Sequence, residues 1–344
     1  MHIYRRLMTI NRRGFSAEIR RPGTMRPGTP SPPPPPSPVP SEEAGPAPSL
    51  TLPGSRTHPL LLYGTAWKKG ATAELVTTAL RTGFQGVDTA CQPKHYREDL
   101  VGNGLKEFLM TSVRGQHTPR DTLFIQSKFT SPGGQDPRNC PYKLTLPLAS
   151  MVKMSVTTSL AHLDTYLDAL LLHSPMETHA ETLEAYRVLE DYVRLEKIWH
   201  LGVSNVALPE LERLYEECQV KPAIVQNRFW PGNNWDVDVR RFCRDHGMVW
   251  QSFWTLSGNP QLLKSGVVQR VAIRVLEDSD KKEEALYLLV LALGRGWEKG
   301  GGVAILDGTT REVAMKSDCE AAALVGEVSD AELGEFKGLI GEEV

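Results

Sequence analysis

No run of 18 apolar residues occurs in the 344-residue chain, and its most apolar stretch, ALYLLVLALG, is too short to cross a bilayer, so a soluble protein without a membrane partner is expected. Cysteine is sparse: five residues, at 91, 140, 218, 243 and 319, odd in number, widely spaced and never in a CxxC pair. Neither a disulfide framework nor a zinc knuckle is expected, no metal site is assigned, and a reducing compartment such as the cytoplasm fits. Charge of one sign is also missing. The formal net charge is −2 with 23% charged residues, which does not favour a nucleic-acid partner. A G-x-G-x-x-G turn is absent after the first apolar run, PLLLYGT (59–65), which is followed by AWKKGAT. That removes the usual mark of a doubly wound dinucleotide-binding sheet.

Residues 1–57 differ in composition from the rest. Twelve prolines lie between positions 22 and 48, including the run Pro32 to Pro36, while residues 1–26 hold seven arginines and one acid, Glu18. So few apolar side chains cannot offset the entropy of ordering, and a disordered or polyproline-like extension is expected. The Arg-rich start resembles a mitochondrial transit peptide, with Arg13-Gly14-Phe15-Ser16 as a cleavage site, the alternative to a cytoplasmic location. The pentaproline is read as a passive linker rather than an SH3 or WW ligand.

Residues 58–344 alternate between two textures. Short apolar runs lie at 59–65, 83–90, 122–129, 166–175, 198–205, 223–229, 248–254 and 302–309, and stretches of helical period lie between them, including a long one over about 261–296. Eight strands alternating with helices predict a (β/α)8 TIM barrel, with chemistry at the C-terminal strand ends.

Asp88, Lys128 and His173 stand at three such ends, and Tyr96 lies one loop beyond Asp88. A phenol titrates near pH ~10 and is reluctant to ionise, so Tyr96 is read as a general acid whose pKa a nearby Lys128 ammonium would lower. Asp88 would hold Lys128 and keep it protonated; His173 would orient a substrate carbonyl. None of these side chains supplies a hydride, so a cofactor must. Asp168, mid-strand, reads as structural, and Cys91 as a small buried thiol. Gly308-Thr309-Thr310 offers amides and hydroxyls at a helix start, suited to an anion. Arg311 and Lys316 stand beside it.

These segments resemble the aldo-keto reductase family over about residues 58–326. The motifs are DTACQPKHYREDLVG, QSKF, SLAHLDTYLDALLLHSP, GVSNV, PAIVQ and LDGTT. The resemblance implies NADPH-dependent, reversible reduction of aldehydes or ketones, with Tyr96 as acid and Asp88, Lys128 and His173 in support. It implies that Ser204, Asn205 and Gln226 bind the nicotinamide carboxamide, and that the loop after the eighth strand binds the adenosine phosphate, where Arg311 and Lys316 would meet a 2′-phosphate, which favours NADP over NAD. It also implies a stacking aromatic, Phe253 by its spacing from Leu256, or its rival Trp254. Gln92-Pro93-Lys94-His95 lengthens the Asp88-to-Tyr96 spacing, as in fungal-type members; Tyr63 is a weaker rival to Tyr96, and His95 adjoins it. The Gly-rich GRGWEKGGG is expected to loosen the cofactor loop. A short tail suggests an open substrate pocket, lined by Trp67, Phe229, Trp230 and Trp235. A monomer is expected. The competing readings are a cofactor-binding regulatory protein of the same fold, like the channel-associated β-subunits, and a barrel lyase or isomerase without nicotinamide. The presence of all four catalytic positions speaks against the first.

Overall fold

The computed structural model describes residues 48–111 and 118–342. The stretch up to residue 47, and with it the targeting and polyproline readings, lies outside the described residues. An antiparallel hairpin of β1 (Ser49–Thr51) and β2 (Thr57–Pro59) comes first, so residues 49–57, assigned by composition to the extension, take part in folded structure. Eight parallel strands then close into a barrel. They are β3 (Leu61–Gly64), β4 (Gly86–Asp88), β5 (Phe124–Phe129), β6 (Leu167–Leu172), β7 (Ile198–Ser204), β8 (Ile224–Arg228), β9 (Val249–Phe253) and β10 (Gly302–Asp307), with β10 pairing back to β3. Each falls inside one of the eight apolar runs, and helices follow the strands, as a (β/α)8 barrel requires. Among the described residues, no helix is long and apolar enough to cross a membrane.

Strand β5 shows how alternation positions the chemistry. Phe124 packs inside the barrel with Leu62, Leu171, Ile224 and Val249. Ile125 and Phe129 pack outward with the helices. The period of two therefore turns Gln126 and Lys128 inward with Phe124. The register places Asp88 beside Gln126, and Gln226 beside both Ser204 and Gln251. Burial of apolar surface on both faces of such strands, about 25 cal/mol per Å2, is the main force closing the barrel.

The hairpin covers the barrel floor. Leu52, at its turn, joins the interior cluster. Gly301 donates its N–H to Thr51 O at 3.0 Å. Its φ is +75°, and a Cβ there would lie 2.2 Å from Met248 O, so only glycine fits. GRGWEKGGG thus lies before β10, at the floor. It is at the opposite end of the strand from the loop it was expected to loosen.

The long helix expected over 261–296 is two helices, Gly266–Val275 and Lys282–Ala292. Between them Glu277 takes φ 54°, and Asp278 Oδ1 accepts from Asp280 N at 2.9 Å. Short polar side chains that bond their own backbone favour a turn over a helix interior.

Candidate active site

A cavity of about 830 Å3 opens at the C-terminal ends of the strands, lined at one end by Asp88, Tyr96 and His173. At its inner wall Lys128 Nζ donates to both carboxylate oxygens of Asp88 at 2.6 Å and to Thr89 O at 3.0 Å. The two side chains are 1% and 2% exposed. Burial pulls the Lys128 pKa down, and Asp88 opposes that pull. The Tyr96 ring lies 5.6 Å from Lys128 Nζ and 5.9 Å, edge-on, from the His173 ring. Four residues from three strands and one loop are thus brought together.

The Tyr96 pKa moves up, not down as its nearness to an ammonium suggested. Burial is the larger cause, and the charge of Asp88 adds to it. The ammonium is already matched by the carboxylate it grips. The phenol therefore keeps its proton at neutral pH. Burial, with Lys128 and His95 beside it, lowers the His173 pKa to about 3, so the imidazole is neutral. Its Nδ1 lies 2.7 Å from Thr130 Oγ1. A Thr130 hydroxyl that donates to Nδ1 leaves the ring proton on Nε2.

Beneath the site runs a polar stack that the apolar texture of the strands concealed. Gln126 Nε2 donates to Asp88 Oδ1 at 2.6 Å and to Gln251 Oε1 at 2.9 Å. Gln226 Nε2 donates to the same two groups at 3.1 and 2.7 Å. Gln251 Nε2 reaches Gln126 Oε1 and His58 Nε2, both at 2.8 Å. His58, its pKa lowered to about 3 chiefly by burial, ends the stack at Pro59 O. Branched apolar side chains usually fill a barrel at this level; here amides solvate the buried Asp88.

Ser204, Asn205, Gln226, Phe253, Trp254 and Leu256 line the middle of the cavity. Ser204 Oγ donates to Gln226 O at 2.7 Å, and Asn205 Nδ2 to His173 O at 2.9 Å. Trp254, at φ 61° and 51% exposed, projects beside Phe253. The Arg228 guanidinium sits over both rings, at 5.3 and 4.8 Å, and its buried Nε has no partner among the described residues. An aromatic wall beside amide and hydroxyl groups fits a flat heteroaromatic ring.

The outer end is lined by Lys68, Glu283, Tyr287, Asp307, Gly308, Thr309 and Asp318. Asp307 follows the outward-facing Ile305 by two residues and is buried; its Oδ1 accepts from Thr309 N at 2.8 Å, and Asp318 and Tyr287 stand beside its carboxyl. Burial and the charge of Asp307 push the Asp318 carboxyl well up, so the pair retains a proton.

Other expected site residues lie elsewhere. Thr310 and Lys316 do not line the cavity; Lys316 pairs with Glu320 at 3.7 Å on the surface. Phe229 is fully buried against Trp250 and Phe336, packing rather than substrate lining. Trp230 lines a neighbouring cavity of about 430 Å3, and Trp235 packs on the core with Nε1 bonded to Asn259. Trp67 lines the main cavity, 64% exposed, and stacks on His95 at 3.9 Å. Tyr63 donates its hydroxyl to Thr309 O at 3.1 Å and lies outside the cavity lining, which removes it as a rival to Tyr96. Cys91 is buried with its thiol pKa raised, and Asp168 is held by Arg120 and Arg56, remote from the cavity lining. Sequence reasoning missed Gln126, Thr130, Arg228, Gln251, Glu283 and Asp318. Only the inward phase of Gln126 and Gln251 on their strands was available as a signal.

Comparison with known proteins places this geometry in context. The model of the aldo/keto reductase family matches residues 62–288. Glyoxal reductase of Bacillus subtilis is 27% identical over 239 residues, covering 70% of this chain and 73% of that protein. Glycerol 2-dehydrogenase (NADP(+)) of Hypocrea jecorina is 24% identical over 267 residues, covering 70% and 78%. The crystal structure of an aldo/keto reductase from Brucella melitensis superposes with a TM-score of 0.66 at 19% identity, covering 85% of this chain and 99% of that one.

Proposed function

The chain belongs to the aldo/keto reductase family, and on that premise we propose that it reversibly reduces aldehydes or ketones to alcohols with a nicotinamide dinucleotide. The observation that carries this reading is the Tyr96 phenol, held in its protonated form beside the buried Lys128–Asp88 pair and a neutral His173. The bound dinucleotide supplies the hydride. Every other step falls to the chain's own groups. His173 Nε2–H, its tautomer set by Thr130, donates a hydrogen bond to the substrate carbonyl oxygen. Tyr96 passes its proton to that oxygen as the alkoxide develops, and Lys128, fixed by Asp88, stabilises the phenolate left behind. Oxidation of the alcohol runs the same steps backwards.

Ser204, Asn205 and Gln226 hold the carboxamide of the ring, and Phe253 or Trp254 stacks on its face. Leu256 would lie along the cofactor, and the amide of Gly308 would meet its phosphates. Trp67 forms an apolar side of the substrate mouth. The name of the Hypocrea jecorina relative supports NADP(H) as the cofactor. The five free thiols support a cytoplasmic setting.

Steady-state assay of the purified protein with a panel of aldehydes and ketones, using NADPH and NADH in turn, tests the reading. Turnover of at least one carbonyl class is expected. Cofactor binding without turnover would instead indicate a regulatory protein of the same fold.

A further inference from the structure

The middle of the cleft fits a nicotinamide ring, but the outer end does not match a phosphorylated ribose. Its lining holds three carboxyl groups, Glu283, Asp307 and Asp318, against one ammonium, Lys68. That ammonium donates to Gly308 O. Of the two cations that the sequence offered for a 2′-phosphate, Lys316 pairs with Glu320 on the surface, and Arg311 stands outside the lining, 3.9 Å from Glu283 at the exposed rim. Glu284, beside Glu283, accepts from Ser317 Oγ at 2.7 Å, so helix Glu312–Ala322 brings no cation inward on this side. Asp307 is buried in the lining with the Asp318 carboxyl beside it.

Carboxylates accept hydrogen bonds from the free hydroxyls of an adenosine ribose, whereas a 2′-phosphate dianion needs an arginine and is repelled by carboxylates. We propose that Glu283, Asp307 and Asp318 are specificity-determining residues that make this protein select NAD(H) over NADP(H). The inference rests on the reading of the cleft as a nicotinamide dinucleotide site and reverses the preference suggested by the relative's name.

The test is titration of tryptophan fluorescence in the full chain, since Trp67 and Trp254 lie on the cleft. The probes are NADH, NADPH, ADP-ribose and 2′-phospho-ADP-ribose; the last two lack nicotinamide and report on the outer end alone. NADH is expected to bind about tenfold more tightly than NADPH, and ADP-ribose to outbind its 2′-phosphate in the same sense. Glu283→Gln, on an exposed side chain, should narrow that gap by roughly threefold, whereas Asp318→Asn, which exchanges a carboxyl that keeps its proton for a neutral amide, should leave it nearly unchanged. NADPH binding as tightly as NADH, or a gap that Glu283→Gln leaves intact, overturns the inference while leaving the nicotinamide reading standing. Binding of neither dinucleotide overturns both.

Discussion

The two ends of the cleft are each built around a buried carboxylate, and they treat it in opposite ways. At the inner end Asp88 meets a lysine and two glutamine amides, so its charge is answered on every side. At the outer end Asp307 meets a second carboxyl, and a retained proton takes the place of a cation. A carboxylate with a permanent cationic partner can steady a reacting phenol without changing its own state. A carboxyl pair sharing a proton can accept hydroxyl hydrogen bonds but cannot hold a phosphate dianion. The difference separates the part of the site that performs chemistry from the part that chooses the cofactor.

Breaking the inner arrangement carries the largest effect. Lys128→Met leaves Asp88 buried without its cation and should cost about 3–5 kcal/mol, read as a fall in urea-unfolding free energy. Asp318→Asn replaces a carboxyl that already keeps its proton by a neutral amide and is expected to be close to neutral in the same measurement. Equal losses from both would erase the contrast.

pH separates the ends next. His58 and His173 have folded pKa values lowered to about 3, and His200 to about 4, with burial the first cause in each. The unfolded chain then binds protons below pH ~6.5 that the folded chain refuses, so this stability is present above pH ~6.5 and is lost as pH falls toward those folded values. Asp318 has the opposite sign. Its pKa is raised, so its contribution is present below the ordinary carboxylate range and is lost as pH rises through the folded value. Thermal melts across pH should show acid-side loss in both wild type and Asp318→Asn, and alkaline-side loss reduced in Asp318→Asn alone.

Smaller effects sharpen the inner end. Gln251→Leu strands Gln126 Oε1 and His58 and should cost roughly 1–3 kcal/mol of stability by denaturant titration. Thr130→Val removes the partner of His173 Nδ1. It should lower kcat by about threefold to tenfold with little change in KM, and Thr130→Ser should restore it.

Much of the inner end was legible in the sequence because strand alternation and strand ends obey local rules. Asp88, Lys128 and His173 close apolar runs, and a period of two is enough to turn Lys128 inward. Tyr96 was legible through its place one loop beyond Asp88 and through family resemblance, since its loop has no periodicity. The glutamine stack was hidden because Gln126, Gln226 and Gln251 sit in strands that read as apolar. The outer end was illegible for a topological reason. Glu283, Asp307 and Asp318 come from two helices and a strand, and they meet only when helices Lys282–Ala292 and Glu312–Ala322 pack around the end of β10. Phe229 misled because an aromatic after a strand looks the same whether it faces a pocket or Trp250.

The central claim is that Tyr96 supplies the proton in a reaction whose hydride comes from a nicotinamide. Its most direct test is Tyr96→Phe, with kcat for an aldehyde and the dissociation constant for the reduced dinucleotide measured on the same preparation. The account predicts a fall in kcat of about 10²- to 10⁴-fold with the dissociation constant unchanged. Turnover that survives the substitution would contradict it.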